Sequence, residues 1–263
     1  MTFETAATIK LVLALGGIIT FAFWERIWPS VDHPLLVRLG RAGRDAWRRL
    51  AKNLGLLAFN IALGPLIVLP ITLWADGFSL GLRPDIWAGW WGLILDVLVL
   101  DLWIYWWHRA NHEIQILWRF HEVHHLDEFL DSSSAFRFHF GEVVLSALAR
   151  ALLIILFDIP VASVILFEGL IAFFTVFHHS DARLPERLER PLSKVVVTPS
   201  IHWVHHHALR ADTDSNYGTV FSFWDRLFRS LSATRRWAGM KIGVERRSDR
   251  SFRRLLLSPF LRS

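Results

Sequence analysis

The run IWAGWWGLILDVLVLDLWIYWW, residues 86–107, is apolar apart from Asp96 and Asp101, and it passes directly into His108-Arg109-Ala110-Asn111-His112. A helix needs about 20 such residues to cross the hydrocarbon core of a bilayer. Trp87, Trp90 and Trp91 stand at one end and Trp103, Trp106 and Trp107 at the other, as side chains do at the two membrane interfaces. Spacing of four puts His108 and His112 on one helix face. Asp101 and Tyr105 precede His108 by seven and three residues and share that stripe. The expectation is a spanning helix that delivers two imidazoles to the membrane edge, with a carboxylate placed to orient one of them.

Similar segments lie on either side. Thr5 to Trp24 is apolar except for Lys10, and Leu54 to Ala75 is uncharged, with Pro65 and Pro70 expected to kink it. Val143–Phe157 and Val161–Phe177 form a further pair, broken at Asp158-Ile159-Pro160, that either spans or re-enters the membrane. No cleavable signal peptide is evident, so the first segment is expected to remain as an anchor. The chain is 53% hydrophobic and contains no cysteine, which excludes disulfides, thiolate metal sites and thiol nucleophiles. Its net charge of +5 lies beside apolar segments, favouring lipid headgroups over nucleic acid. Arg26, Arg38, Arg41, Arg44, Arg48, Arg49 and Lys52 lie between the first two spans, against Arg83 alone between the second and third. The excess of positive charge puts residues 25–53 in the cytoplasm. Every histidine cluster then falls on the cytoplasmic side.

Twelve of the thirteen histidines lie between His108 and His207, and only His33 stands apart. His121-Glu122-Val123-His124-His125 and His202-Trp203-Val204-His205-His206 repeat one rare pattern about 80 residues apart. His139 and His178-His179 flank the later apolar pair. Neutral imidazole is the commonest protein ligand for transition metals, and ten of them suggest two ions. Zinc does not change oxidation state, whereas two irons can donate electrons to O2. A redox centre at the mouth of a membrane bundle suggests hydroxylation or desaturation of a lipid C–H bond. No nucleotide-binding signature is present, so electrons are expected from a separate donor. Two other readings are a histidine-rich metal transporter and a zinc peptidase using His121-Glu122-x-x-His125.

Several spaced segments resemble the fatty acid hydroxylase / sterol desaturase superfamily. Asp101 to His112 resembles its first box, Leu117 to His125 its second, and Arg137-Phe-His139-Phe-Gly-Glu142 its R-x-H-P-x-E element with Phe140 for proline. His179-Ser180-Asp181, Thr198 to His206, Asn216-Tyr217-Gly218 and Trp224 to Phe228 follow in order. The family usually continues with Gly-Thr, where this chain has Arg229-Ser230. The resemblance implies an all-α, multi-span membrane bundle with a cytosolic, histidine-rich helical cap. It implies two irons (zinc being possible as purified), O2 as co-substrate and a donor of the cytochrome or ferredoxin type. It implies a substrate among fatty acyl chains, sterols, ether lipids and carotenoids. The expected ligands are His108, His112, His121, His124, His125, His139, His179, His202, His205 and His206. Asp101, Arg137, Asn216 and Asp225 are the expected supports. The expected regions are 1–85, membrane segments with a basic cytoplasmic loop; 86–235, the catalytic region; and 236–263, a basic tail.

Besides Lys10 and Asp101, three charges lie deep within the apolar segments. Counted from the histidines, Asp96, Arg150 and Glu168 each lie about 17 Å deep at the helical rise. Charges at that depth pair or line a cavity. Arg150 is therefore expected to bridge Asp96, Glu168 or both.

Overall fold

The computed structural model describes residues 1–31, 41–78 and 80–261, so His33 and Arg38 lie outside the described residues. The protein is built of helices: α1 (Phe3–Ile27), α2 (Arg41–Leu63), α3 (Leu69–Asp76), α4 (Trp90–Glu113), α5 (Gln115–His125), α6 (Phe140–Phe157), α7 (Val161–His179), α8 (Glu186–Leu192) and α9 (Pro199–His205), followed by short helices to Phe260. Among the described residues, the only β pairing is in three isolated bridges. Five helical stretches are long and apolar enough to cross a membrane: Phe3–Ile27, Gly43–Asp76, Trp90–Glu113, Phe140–Phe157 and Val161–His179. The second is α2 and α3 joined through a π turn at Gly64–Val68. Pro65 removes a donor there and the wider turn absorbs it, whereas Pro70 sits in the first turn of α3, where its missing N–H is tolerated.

The break expected at 158–160 is a helical hairpin. Asp158 closes α6 in the left-handed region at φ 52, and Pro160 caps the start of α7. At 18 and 19 residues, α6 and α7 each reach about 27 Å. The main core packs α3, α4, α6 and α7 together through Leu100, Ala151, Ile154, Val164 and Phe167. Along α1, Leu11, Val12, Leu15, Ile19 and Phe23 are exposed, as suits a face turned to lipid. The opposite face lies on α7, where Phe21 packs on Phe173 and Phe177. A Cβ at Gly169 would come within 2.7 Å of the Lys10 backbone, so only glycine lets the two helices approach this closely.

That approach brings Lys10 to Glu168. One Glu168 oxygen accepts from Lys10 Nζ at 2.7 Å and the other from Arg150 at 2.7 Å. Arg150 therefore meets Glu168 as expected, but it does not meet Asp96. Asp96 pairs instead with Arg83 at 2.9 Å and accepts from the Ser163 hydroxyl at 2.6 Å. It lies only six residues, about 9 Å, from the start of α4, within reach of the long side chain arriving from the preceding loop. Arg83 also donates to the carbonyl of Asp158, so the pair fastens that loop to the α6–α7 hairpin.

Replacing Arg150 by leucine should destabilise the bundle by roughly 2 kcal/mol. The loss should fall below the ~3–5 kcal/mol of a wholly stranded partner, because Lys10 still serves Glu168. Arg150→Leu with Glu168→Leu should recover part of the loss in a thermal melt. An unchanged melting temperature in the single variant would show the pair to be idle.

Candidate metal centre

The helices bring nine imidazoles into two adjoining groups. α4 presents His108 and His112 one turn apart. Ile114 then takes an extended conformation (φ −97, ψ 112), and α5 starts afresh with His121, His124 and His125. His179 is the last residue of α7, and α9 ends with His202, His205 and its capping residue His206. In one group the ligand atoms of His108, His112, His121, His125 and His205 lie within 4.8 Å of one another; in the other, those of His124, His179, His202 and His206 do. The groups touch, with the rings of His125 and His206 stacked at 4.3 Å.

The outer ring nitrogens determine what the inner ones do. His108 Nδ1 lies 2.8 Å from the Tyr217 carbonyl, His205 Nδ1 2.6 Å from the Ser215 carbonyl and His179 Nδ1 2.7 Å from the Thr175 carbonyl. His121 Nδ1 lies 2.8 Å from the Glu142 carboxylate. Each of these outer nitrogens must carry the proton and donate it, because its partner only accepts. Each Nε2 of these rings is then a bare lone pair pointing inward. Yet His108 and His121 Nε2 stand 3.1 Å apart, His121 and His125 3.2 Å, His124 and His179 3.0 Å, and His179 and His202 3.0 Å. His108 and His121 thus aim lone pairs at each other. Protonation would relieve this, but burial and neighbouring imidazoles hold His124, His125, His202, His205 and His206 well below the usual histidine range. A shared cation resolves it. Ligands about 2.1 Å from one ion and at right angles lie about 3.0 Å apart, which matches the observed spacings. His112 and His205 Nε2 are buried without a protein partner, as ligand atoms would be.

The supporting residues act mainly through one loop. Asp225 accepts from the backbone of Tyr217 (2.7 Å) and Gly218 (2.9 Å) and from the Ser230 hydroxyl. Asn216, at φ 54, donates to the Ile201 carbonyl and accepts from Ser232 N. Asp101 was expected to orient a ligating ring. It instead accepts from the backbone of Val220 and Phe221 and from the Trp224 indole, holding the same loop against α4. The loop carries the carbonyls that fix His108 and His205. Arg229, where the family has glycine, adopts φ 59 and keeps the turn. Ser230, where the family has threonine, links Asp225 to Tyr105 Oη at 2.7 Å. Arg137 is buried and donates to the Val123 carbonyl of α5, to Asn53 of α2 and to Asp249 near the C-terminus. The segment from 236 to 261 is thereby packed against α2 and α5, with Leu255 buried against Leu56, Val123 and Leu126.

The structure does not bring His139 to either group. It caps α6: its Nδ1 accepts from Gly141 N and its Nε2 donates to the Leu256 carbonyl, so both nitrogens are committed to backbone. His178 stacks on His202 at 3.9 Å, and His207 pairs with Asp212. Glu122, the base a peptidase would need, is held by Arg247 and Arg250 and belongs to neither group. Five contributors were missed: Asn111, Glu142, Thr175, Ser215 and Asp214, the last lying 3.3 Å from His112 Nδ1. Glu142 was visible only as the last letter of a motif, and carbonyl partners leave no sequence signal.

A cavity of about 510 Å³ reaches these histidines, lined at one end by His108, His121, His124 and His179 and farther along by Leu11, Ile61 and Ile171. It adjoins a second apolar cavity of about 570 Å³, with Lys10, Leu57 and Glu168 lining both.

The sequence profile of the Fatty acid hydroxylase family matches residues 93–230. The chain is 25% identical to an ornithine lipid hydroxylase of Rhizobium tropici over 95% of its own length and 75% of the relative's. It is 34% identical to an alkylglycerol monooxygenase of Danio rerio over 62% of the chain and 34% of that protein. It is 27% identical to a lathosterol oxidase of Homo sapiens over 51% of the chain and 43% of that protein. The chain thus spans only about a third of the monooxygenase and under half of the oxidase. No solved structure matches it.

His139→Ala should keep its full metal content and lose about 1 kcal/mol of stability with the helix cap. Asp225→Ala, which releases the loop behind His108, should weaken metal binding roughly 10-fold or more. Metal titration of the two variants tests this. A loss in His139→Ala matching that in Asp225→Ala would return His139 to the ligand set.

Proposed function

The chain belongs to the fatty acid hydroxylase family, and on that premise we propose that it is a membrane-bound, O2-dependent oxidoreductase that hydroxylates or desaturates a lipid. The observation that carries this reading is the pair of inward-facing imidazole groups at the end of an apolar cavity among membrane-spanning helices. The nine grouped histidines are the proposed ligands, five for one ion and four for the other. Two irons bound there would supply the electrons that reduce O2, which zinc cannot do.

The protein's own part is positional. Tyr217, Ser215, Thr175 and Glu142 hold proton-bearing outer nitrogens, so that neutral rings face inward. Ile104, Trp107 and Phe138 exclude water and lay a hydrocarbon chain against the histidine end. We place that end on the cytoplasmic side, from the arginines between the first two spans. A separate electron donor reaches the cap from that side. The transporter reading is less well supported, because ligands that pass an ion across a membrane belong near the bilayer midplane. Here His108 and His179 stand at helix ends.

Lipid profiles of cells carrying the wild type and either His124→Ala or His205→Ala test the activity. The wild type alone should yield a lipid richer by one oxygen or poorer by two hydrogens, and only in the presence of O2. Each variant should lose metal and product together; full metal and turnover in His124→Ala would overturn the ligand set. For the topology, a cysteine introduced near Asp225, at the exposed Leu227, should be shielded from impermeant thiol reagents in intact cells, and one near Gly81 labelled. The reverse pattern would invert the arrangement.

A further inference from the structure

The cavity wall is hydrocarbon and aromatic over most of its extent, through Ile104, Trp107, Phe136, Phe138 and Ile171. Beside the histidines and the hydroxyls of Thr175 and Thr219, two buried polar side chains with unpartnered acceptor oxygens interrupt it. Glu142, in the first turn of α6, accepts at Oε1 from His121 Nδ1 at 2.8 Å and from Asn111 Nδ2 at 3.3 Å. Its second oxygen, Oε2, is buried with no partner among the described residues, and so is Asn111 Oδ1. Both residues line the cavity, exposed by only 6% and 2%. The Asn111 amide cannot be turned over, since that would set its oxygen against Glu142 Oε1. The two residues therefore offer paired acceptors to an otherwise apolar space. The other charged lining groups, Lys10 and Glu168, are engaged with each other, Glu168 lying about 16 Å from His179 along α7.

Acceptors of this kind discriminate between lipids. A plain hydrocarbon segment would bury both without a bond. An ester or ether oxygen would set lone pair against lone pair. A hydroxyl or amide N–H would satisfy them. We propose that Asn111 and Glu142 form a subsite for a hydrogen-bond donor, so that the preferred substrate is a lipid bearing a free hydroxyl or N–H close to the carbon that is oxidised. This rests on the reading that the cavity holds the lipid. Asn111 sits at an unspecified position of the first histidine box, so the sequence pattern did not single it out.

The test is equilibrium binding to the purified, metal-containing protein, read as ligand-dependent thermal stabilisation, with hexadecanol and its methyl ether as probes. The probes share chain and oxygen, but only the alcohol donates. The alcohol should bind about tenfold more tightly. Asn111→Leu should cut that ratio to about threefold or less. Glu142→Gln, which turns an amide NH2 toward the cavity, should remove or reverse it. Metal content measured on each variant separates lost recognition from lost loading. A ratio near one in the unaltered protein, or an undiminished ratio in both variants, overturns the subsite. Because no turnover is involved, an inactive protein that still prefers the alcohol would count against the proposed oxidation and not against the subsite.

Discussion

Everything in the cap follows from lone pairs that face one another. Four outer nitrogens are committed as donors to fixed acceptors, so four inner nitrogens have no proton to share. The inner nitrogens of His108 and His121, 3.1 Å apart, repel unless a cation lies between them, and that of His179 stands 3.0 Å from both His124 and His202. Surface histidines would escape by taking up protons. These are buried, so the charged form is costly. A metal bound among them would therefore couple its own binding to the folding of this region, as in sites where the ligands do not preassemble in the unfolded chain.

That constraint explains how much of the chain serves to hold nine rings. The 215–230 loop makes no ring contact through its acids. Asp101 and Asp225 instead fix its backbone, and the backbone fixes His108 and His205. Beneath the histidines, Arg49 of α2 reaches Asp127, Asp131, Ser134 and the Phe129 carbonyl, while Glu25 of α1 accepts from Ser132 and from Asp181 N. The membrane helices thus clamp the segment between α5 and α6 from below, and the C-terminal segment closes it through Asp249 and Arg137. A polar, hydrogen-bonded cluster of histidines thus lies directly against an apolar cavity.

The sequence revealed whatever is written in periodicity or side-chain identity. The spans, the irregular turn at Pro65 and the break at 158–160 come from local rules that tertiary packing did not override. The nine grouped histidines were readable because their spacing of three and four lies on helix faces. His139 was not distinguishable from them, because capping a helix and ligating an ion call on the same nitrogens. Asp96 was misplaced because depth was counted from one end of α4, and Arg83 reached it from the other. Asp101 was right as a support but wrong in its partner, since a carboxylate seven residues before a histidine meets whatever loop folds over it. Arg229 kept a left-handed turn that its residue type disfavours, because Ser230, Asp225 and Tyr105 hold the chain on both sides of it.

The central claim is that nine neutral imidazoles hold two redox-active ions per chain. Mössbauer spectroscopy and metal analysis of protein reconstituted with iron-57 under anaerobic conditions measure this directly. The account predicts two irons per chain, both in the reduced state and both oxidised on admission of O2. A single ion per chain, or a pair that O2 leaves unchanged, would contradict it.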